Sequence, residues 1–463
     1  MIILHKTGFT FVMTTNTLVS MERKALADLL AWRSDKRRKP LVLNGARQVG
    51  KTWLLKEFGK RAYQNVAYIN FESNERMATL FSSNVDPERL LMGLRIETGL
   101  PIEPEKTLII FDEVQENPKA LTSLKYFYEN APQYHLVAAG SLLGISLHAE
   151  NSFPVGKVDF LNLYPLSFLE FLKAIGESAL ADLVSSSDWP MIDAFREKLI
   201  EFLRYYYCVG GMPESVATFV ATKDLGQVRT FQKELLEAYE RDFSKYAKSD
   251  TVPRIRAVWN SLPAQLAREQ KKFMYGLIRE GARAREYESA IEWLCDAGLS
   301  RKTFRVSKPG LPLKAYQELN AFKLYMLDIG LLAAHSGLPI QTVLHGNALF
   351  EEFKGALTEQ YVAQELRLME EMDASYWSSD TSRAEVDFLI QGQDSIYPLE
   401  VKAAENLQAK SLRVYNEKFS PPRCFRTSLS AYREERWLTN IPLYALSILD
   451  RITGPSGSTG KSF

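Results

Sequence analysis

The sequence predicts an α/β fold built on a parallel sheet, followed by a helical region and then a separate α+β unit. Three observations predict it. Between Met21 and about residue 175, short apolar runs alternate with amphipathic or charged stretches, the rhythm of strand–helix–strand units. From about residue 190 to 345 strand-like runs nearly vanish and apolar residues recur at helical spacing. Beyond Gly346 one helical stretch precedes three strand-like runs.

The 463 residues are enough for several domains, and the 46% apolar and 24% charged shares are those of an ordinary globular chain. A net charge of +1 excludes a strongly basic body, so any nucleic-acid contact must rest on local patches. Three cysteines lie far apart with no CxxC pair, which disfavours a zinc ribbon or disulfide framework and fits a reducing, cytoplasmic setting. The five histidines have no ligand spacing. The opening "MIILHKTGFTFVM" is broken by His5 and Lys6 and lacks a signal-peptide pattern, so residues 1–20 read as a tail. The longest near-apolar run, "LVAAGSLLGISL", is too short to span a bilayer, and no membrane partner is expected.

In chain order, "PLVLNG", "VAYINF", "TLIIFDEV" and "YHLVAAGS" are the expected parallel strands of a first domain over 21–190, their continuous apolar character pointing to helices on both faces. A domain over 191–345 contains the helical segments "FREKLIEFLRYYY" and "FQKELLEAYERDFSKYAK". Within it, "KFMYGLIREGARAREYESAIEWLCDAGLSRKTFRV" reads as helix, turn, helix and strand, the order of a winged helix. A third domain over 346–447 has the helix "FKGALTEQYVAQELRLMEEM" and strands "ASYWSS", "AEVDFLIQ" and "IYPLEVKAA". The end, "GPSGSTGKSF", is small, polar and glycine-rich, and residues 448–463 are expected to be a disordered tail.

The first strand runs into GARQVGKT, which fits GxxxxGK[ST] with Gly45, Gly50, Lys51 and Thr52 in the fixed places. A strand delivering the chain to a glycine-rich turn and a helix N-terminus makes a ring of backbone N–H groups for phosphates. Gly45, Ala46, Arg47, Gln48, Val49, Gly50, Lys51, Thr52 and Trp53 are the expected ATP-binding residues. Lys51 would reach the β- and γ-phosphates, and Thr52 would ligate Mg²⁺. The strand "TLIIFDEV" ends in Asp112, placed to hold the metal, and Glu113, placed to orient or deprotonate the attacking water. Ser141, after "AAG", is either a polar sensor between these carboxylates and the γ-phosphate or a plain turn serine. Lys157 is either a cation reaching the phosphates from the same or a neighbouring subunit or, the preferred reading, a solvated lysine.

A second constellation lies in the third domain. Asp387 precedes Glu400 by thirteen residues, and Glu400 and Lys402 flank one valine. On a strand, positions two apart share a face, so a hairpin would bring Asp387 beside Glu400 and Lys402, with Glu359 of the preceding helix adding an acid. Such a group would hold Mg²⁺ and activate water against a phosphodiester; the plainer reading is a sheet edge with a salt bridge. Lys271, Lys272, Arg279, Arg283 and Arg285 make the winged-helix segment locally basic, although Glu280, Glu286, Glu288 and Glu292 are interleaved. "DKRRKP" reads as a solvated turn.

GARQVGKT, "IIFDEVQ", "AAGS", "LYPLSFLEF", "YYCVGGMPESV" and "FKLYMLDIGLL" together resemble a family of prokaryotic AAA-type ATPases carrying a C-terminal domain of unknown function, over about residues 21 to 445. The resemblance implies an AAA+ type P-loop NTPase domain, a helical and winged-helix region, and a restriction-endonuclease-like C-terminal domain of the PD-(D/E)xK type. In that family the position of Lys157 is usually arginine; lysine keeps the charge but loses the planar fork. The expectation is an ATPase with ATP and Mg²⁺ as cofactors, acting as a switch, with DNA, another protein or a second copy as candidate partners. The alternatives are a DNA-binding regulatory or defence-type (toxin–antitoxin) interaction protein that holds ATP with little turnover, and an ATP-regulated Mg²⁺-dependent nuclease.

Overall fold

The computed structural model describes residues 21–72, 74–141, 143–147, 156–268, 271–345, 351–369, 374–380, 382–404 and 409–453; the expected N-terminal tail and the last ten residues lie outside them. All four strands expected in the first domain form: β1 (Leu41–Asn44), β2 (Asn65–Asn70), β3 (Thr107–Asp112) and β4 (His135–Ala139). A fifth, β5 (Asp159–Asn162), completes an all-parallel sheet in the order β2-β3-β4-β1-β5. Every residue of β3 and β4 is buried, because helices cover both faces. Alternate side chains feed two cores: Leu41, Leu43, Leu108 and Ile110 enter one, and Val42, Ile109 and Phe111 the other.

This strand order fixes the position of any site. β4 lies between β1 and β3, so the loops leaving β1, β3 and β4 meet at the carboxyl edge of the sheet, the edge where open parallel sheets bind ligands.

The long helices Arg196–Val209 and Leu225–Tyr246 follow as expected. The first helix of the expected winged helix does not form: its segment holds only a 3-10 turn at Tyr275–Leu277, and the helix packed on Ala284–Asp296 is the earlier Val252–Leu266. Gly276 and Gly281 in that stretch explain the loss of regular helix. The expected wing strand β6 (Ser300–Arg305) pairs with β7 (Glu318–Met326), but this hairpin is not a free wing. β6 joins β8 (Ala374–Ser378) through Arg305 and Tyr376, extending one sheet ordered β12-β13-β11-β10-β9-β8-β6-β7. Its other members are β9 (Glu385–Gln391), β10 (Ile396–Val401), β11 (Cys424–Ser428), β12 (Arg433–Glu434) and β13 (Leu438–Pro442). The boundary expected at 345/346 therefore cuts through a shared sheet. Residues Ile448–Thr453, expected in a disordered tail, form a helix whose Leu449 is buried in the main core.

Three of the motifs behind the resemblance interlock here. Asp328, fully buried, accepts N–H bonds from Gly211 at 2.6 Å and Leu331 at 3.0 Å, while Leu166 N–H donates to Gly211 O at 2.7 Å. Burial raises the Asp328 carboxyl to about 6. "LYPLSFLEF", "YYCVGGMPESV" and "FKLYMLDIGLL" are thus tied to one another around a buried carboxylate.

Candidate functional site

Three left-handed residues shape the loop after β1: Gly45 (φ 157°), Gln48 (φ 65°) and Gly50 (φ 94°). A Cβ on Gly45 would overlap the Leu163 carbonyl of the neighbouring strand's exit, so only glycine fits that close approach. The helix Lys51–Ala62 starts directly from Gly50 with no side-chain cap, leaving its first N–H groups to the loop.

Lys51 is buried, its ammonium donating to the carbonyls of Gly45 and Ala46 at 2.8 Å each. Burial lowers its pKa to about 8 against the opposing charges of Glu113 and Asp112. Thr52 Oγ1 donates to Asp112 Oδ2 at 2.7 Å, and Tyr68 Oη donates to the same oxygen at 2.8 Å. Glu113 takes a left-handed conformation (φ 51°), uncommon for a side chain of its size and characteristic of functional turns. Gln115 Nε2 donates to its Oε2 at 2.6 Å and Ser141 Oγ to its Oε1 at 3.3 Å. The structure therefore brings Lys51, Thr52, Asp112, Glu113 and Ser141 to one edge. Thr52 and Asp112 offer the hydroxyl and carboxylate that Mg²⁺ takes alongside phosphate oxygens and water, so these residues fit the ion.

The loop is gripped from outside. Arg47 Nη1 lies 2.6 Å from Asp242 Oδ1, and Tyr239 Oη donates to Arg47 O at 2.9 Å, both from the Leu225–Tyr246 helix. Arg23 donates to Val49 O at 3.3 Å, and Gly298, before β6, lies against Ala46. Ala46 and Val49 are buried by these contacts, whereas Trp53 is 36% exposed on the outer side of its helix.

Lys157 is not part of this edge. It lies two residues before β5, whose first residue pairs with the first residue of β1, and so stands at the amino edge of the sheet. There it pairs with Glu129 at 3.1 Å. A role toward the phosphates of its own subunit is excluded by that position.

The four C-terminal residues are divided between two groups. Glu359 and Asp387 converge on Lys323, whose Nζ is 3.0 Å from Glu359 Oε1 and 3.9 Å from Asp387 Oδ1. Glu400 instead pairs with Lys402 at 2.8 Å and stands opposite Arg426 of β11. The expected alternation fails because β9 has a bulge: Ser375 pairs with Leu389 but Trp377 with Val386, so Asp387 and Phe388 together oppose Tyr376. Among the described residues, no three His, Cys, Asp or Glu side chains are grouped to hold a metal, and no helix is long and apolar enough to cross a membrane.

Sequence reasoning missed Tyr68, Asp242, Tyr239, Lys323 and Glu385, which reach their partners only through tertiary contacts. Lys323 and Tyr325 did lie within the quoted "FKLYMLDIGLL", although nothing in that stretch announces their partners.

Residues 37–172 match the model of an AAA domain. Residues 200–342 and 354–446 match two domains of unknown function, DUF8612 and DUF4143. No curated protein matches the chain. Among solved structures, the Walker-type ATPase PABY2304 of Pyrococcus abyssi is similar at 15% identity and TM-score 0.43, over 68% of this chain and 95% of that one. The Aeropyrum pernix ORC1 protein in complex with DNA gives 18% identity and TM-score 0.27, over 69% and 92% of the two chains. AMPPCP-bound DnaA from Aquifex aeolicus gives 11% and 0.26, over 58% and 85%. With the loop, the acidic strand end and the family match falling on the same stretch, residues 37–172 form an AAA-type P-loop nucleotide-binding domain.

Proposed function

We propose that this protein is an ATP-hydrolysing switch in which ATP and Mg²⁺ occupy the carboxyl edge of the first sheet. The observation that carries this reading is the hydrogen bond between Thr52 and Asp112 at 2.7 Å, which sets a hydroxyl and a carboxylate side by side beneath the phosphate loop. Lys51 would leave the loop carbonyls for the β- and γ-phosphates, Thr52 and Asp112 would hold Mg²⁺, and backbone N–H groups of 45–52 would surround the phosphates. Mg²⁺ would neutralise charge on the γ-phosphoryl group. Glu113, steadied by Gln115 and Ser141, would accept a proton from the attacking water. The grip of Asp242 and Tyr239 on Arg47 offers a route by which occupancy of the loop biases the helical region and any DNA or protein partner it meets.

Lys51→Ala tests binding and Glu113→Gln tests turnover. The first should lose ATP affinity. The second should retain ATP while phosphate release falls by about 10²- to 10⁴-fold. Equal ATP affinity in wild type and Lys51→Ala overturns the reading.

A second reading is a partner-binding protein that holds ATP with little turnover. It is favoured by the position of Lys157, which leaves no cation of its own subunit from that segment at the γ-phosphate. Steady-state phosphate release measured with and without DNA separates the two.

A further inference from the structure

In the C-terminal unit two of the acids picked out by the sequence, Glu359 and Asp387, lie beside a buried lysine. Lys323 is fully buried on β7, and its Nζ lies 2.7 Å from Glu385 Oε1, 3.0 Å from Glu359 Oε1 and 3.9 Å from Asp387 Oδ1. The Tyr376 ring closes another side, 4.8 Å from the ammonium. Lys271, also buried, pairs with the second oxygen of Glu359, and Tyr325 Oη donates to the first. Asp387 Oδ2 is taken by the Val401 N–H at 2.8 Å. Two carboxylates thus bond the ammonium directly, and a third, that of Asp387, lies at 3.9 Å.

Two ammonium groups, of Lys323 and Lys271, face three carboxyl groups, of Glu359, Glu385 and Asp387. Burial opposes ionisation of Glu359, but the two ammonium groups outweigh it and hold its pKa well below the usual carboxylate range. Burial and the charge of Glu359 push Asp387 upward. A divalent ion bound by the same oxygens would need them at about 2.0–2.6 Å from its centre. It would then lie on the position of Nζ, and a buried like charge beside it in a low-dielectric site is strongly disfavoured.

We propose that Lys323 is a built-in cation that takes the place of a divalent ion among Glu359, Glu385 and Asp387, so that this centre is closed by the chain itself and ties β7 to β9 and to the Glu351–Leu368 helix. The bulge at Asp387 is what turns that carboxylate toward the lysine and away from Glu400. The unit is then a clasp between the hairpin and the C-terminal sheet. It performs no metal-assisted phosphodiester chemistry at these residues, because the ammonium holds the ion's place.

The test uses the full chain without nucleotide, with Asp112→Asn in every arm to silence the phosphate-loop site, and Mn²⁺ alone as the probe, followed by electron paramagnetic resonance and by thermal denaturation. With Lys323 in place the chain should take up no Mn²⁺ that Glu359→Gln removes, and its Tm should be unmoved by the ion. Lys323→Ala should gain a Mn²⁺ site and a Mn²⁺-dependent rise in Tm, both abolished by adding Glu359→Gln. Should Ala prove too disruptive, Lys323→Ser, which also leaves the position of Nζ open, is expected to recover folding when Mn²⁺ is supplied. Mn²⁺ uptake by the Lys323 chain that depends on Glu359 overturns the proposal. So does a folded Lys323→Ala chain that takes up none, or Lys323 variants that stay unfolded in Mn²⁺ as in its absence.

Discussion

Thr52 Oγ1 and Asp112 Oδ2 are joined by a hydrogen bond of 2.7 Å although sixty residues separate them, tying the first turn of one helix to the last residue of β3. Register makes this possible. β3 ends one strand beyond β4, which itself pairs with β1, so both groups arrive at the same edge. Thr52→Val keeps the shape and removes the hydroxyl. The Mg²⁺ concentration needed for half-maximal hydrolysis should rise by about 10- to 100-fold, the range found when groups supporting a metal are lost. A Mg²⁺ titration of phosphate release reads it directly.

The buried ammonium of Lys51 predicts a pH dependence of ATP binding. Its pKa in the empty site is lowered to about 8, chiefly by burial. A triphosphate favours the charged form, so binding is at full strength below about pH 8. Above it each protein molecule must first take up a proton, and affinity falls as pH rises. From pH 7 to pH 9 the Kd for ATP should weaken by about tenfold, since roughly a tenth of the lysine is charged one unit above its pKa. The Kd of Lys51→Ala should show no such step. Fluorescence titration at several pH values distinguishes the two.

Gly210 predicts a strong structural effect where the Arg196–Val209 helix ends against Asp328. It has φ 71° and ψ −167°, a region open essentially to glycine alone, and a Cβ there would overlap the Asp328 carboxylate. Gly210→Ala should combine about 1–3 kcal/mol of backbone strain with a similar cost of overpacking. Denaturant unfolding would register the loss, while Gly337→Ala, at a φ of 66° with open space around it, should lose only the strain.

The parts that local sequence dictates were legible before the structure. β1 to β4, the loop from Gly45 to Thr52 and the acidic end of β3 follow from apolar runs, glycines and the spacing of charged residues. What failed had non-local causes. A bulge opposite Tyr376 reverses the face of Asp387, and alternation along β9 gives no sign of it. The 3-10 turn at Tyr275–Leu277 replaces a helix in a stretch interrupted by two glycines. Lys157 has the charge a trigger needs, but strand direction puts it at the wrong end of the sheet. The clasp around Lys323 joins residues from four separate segments, and only the folded sheet brings them together.

Asp242 gives the prediction that bears on switching. Its carboxylate is largely buried and holds the Arg47 side chain at 2.6 Å, while Tyr239, three residues earlier and so on the same helix face, holds the Arg47 carbonyl. Arg47 lies between Gly45 and Gly50, so any movement of the loop around phosphates pulls on the Leu225–Tyr246 helix through this pair. The guanidinium is 44% exposed, so the pair itself contributes only about 1 kcal/mol or less. Its worth lies in coupling. In wild type, ATP should alter amide exchange along Leu225–Tyr246. Asp242→Ala should bind ATP within about threefold of wild type, a change of less than about 1 kcal/mol, yet lose most of that exchange response. Hydrogen exchange with and without ATP decides it: an unchanged response in Asp242→Ala would mean the loop signals through the Tyr239 bond to the Arg47 carbonyl instead.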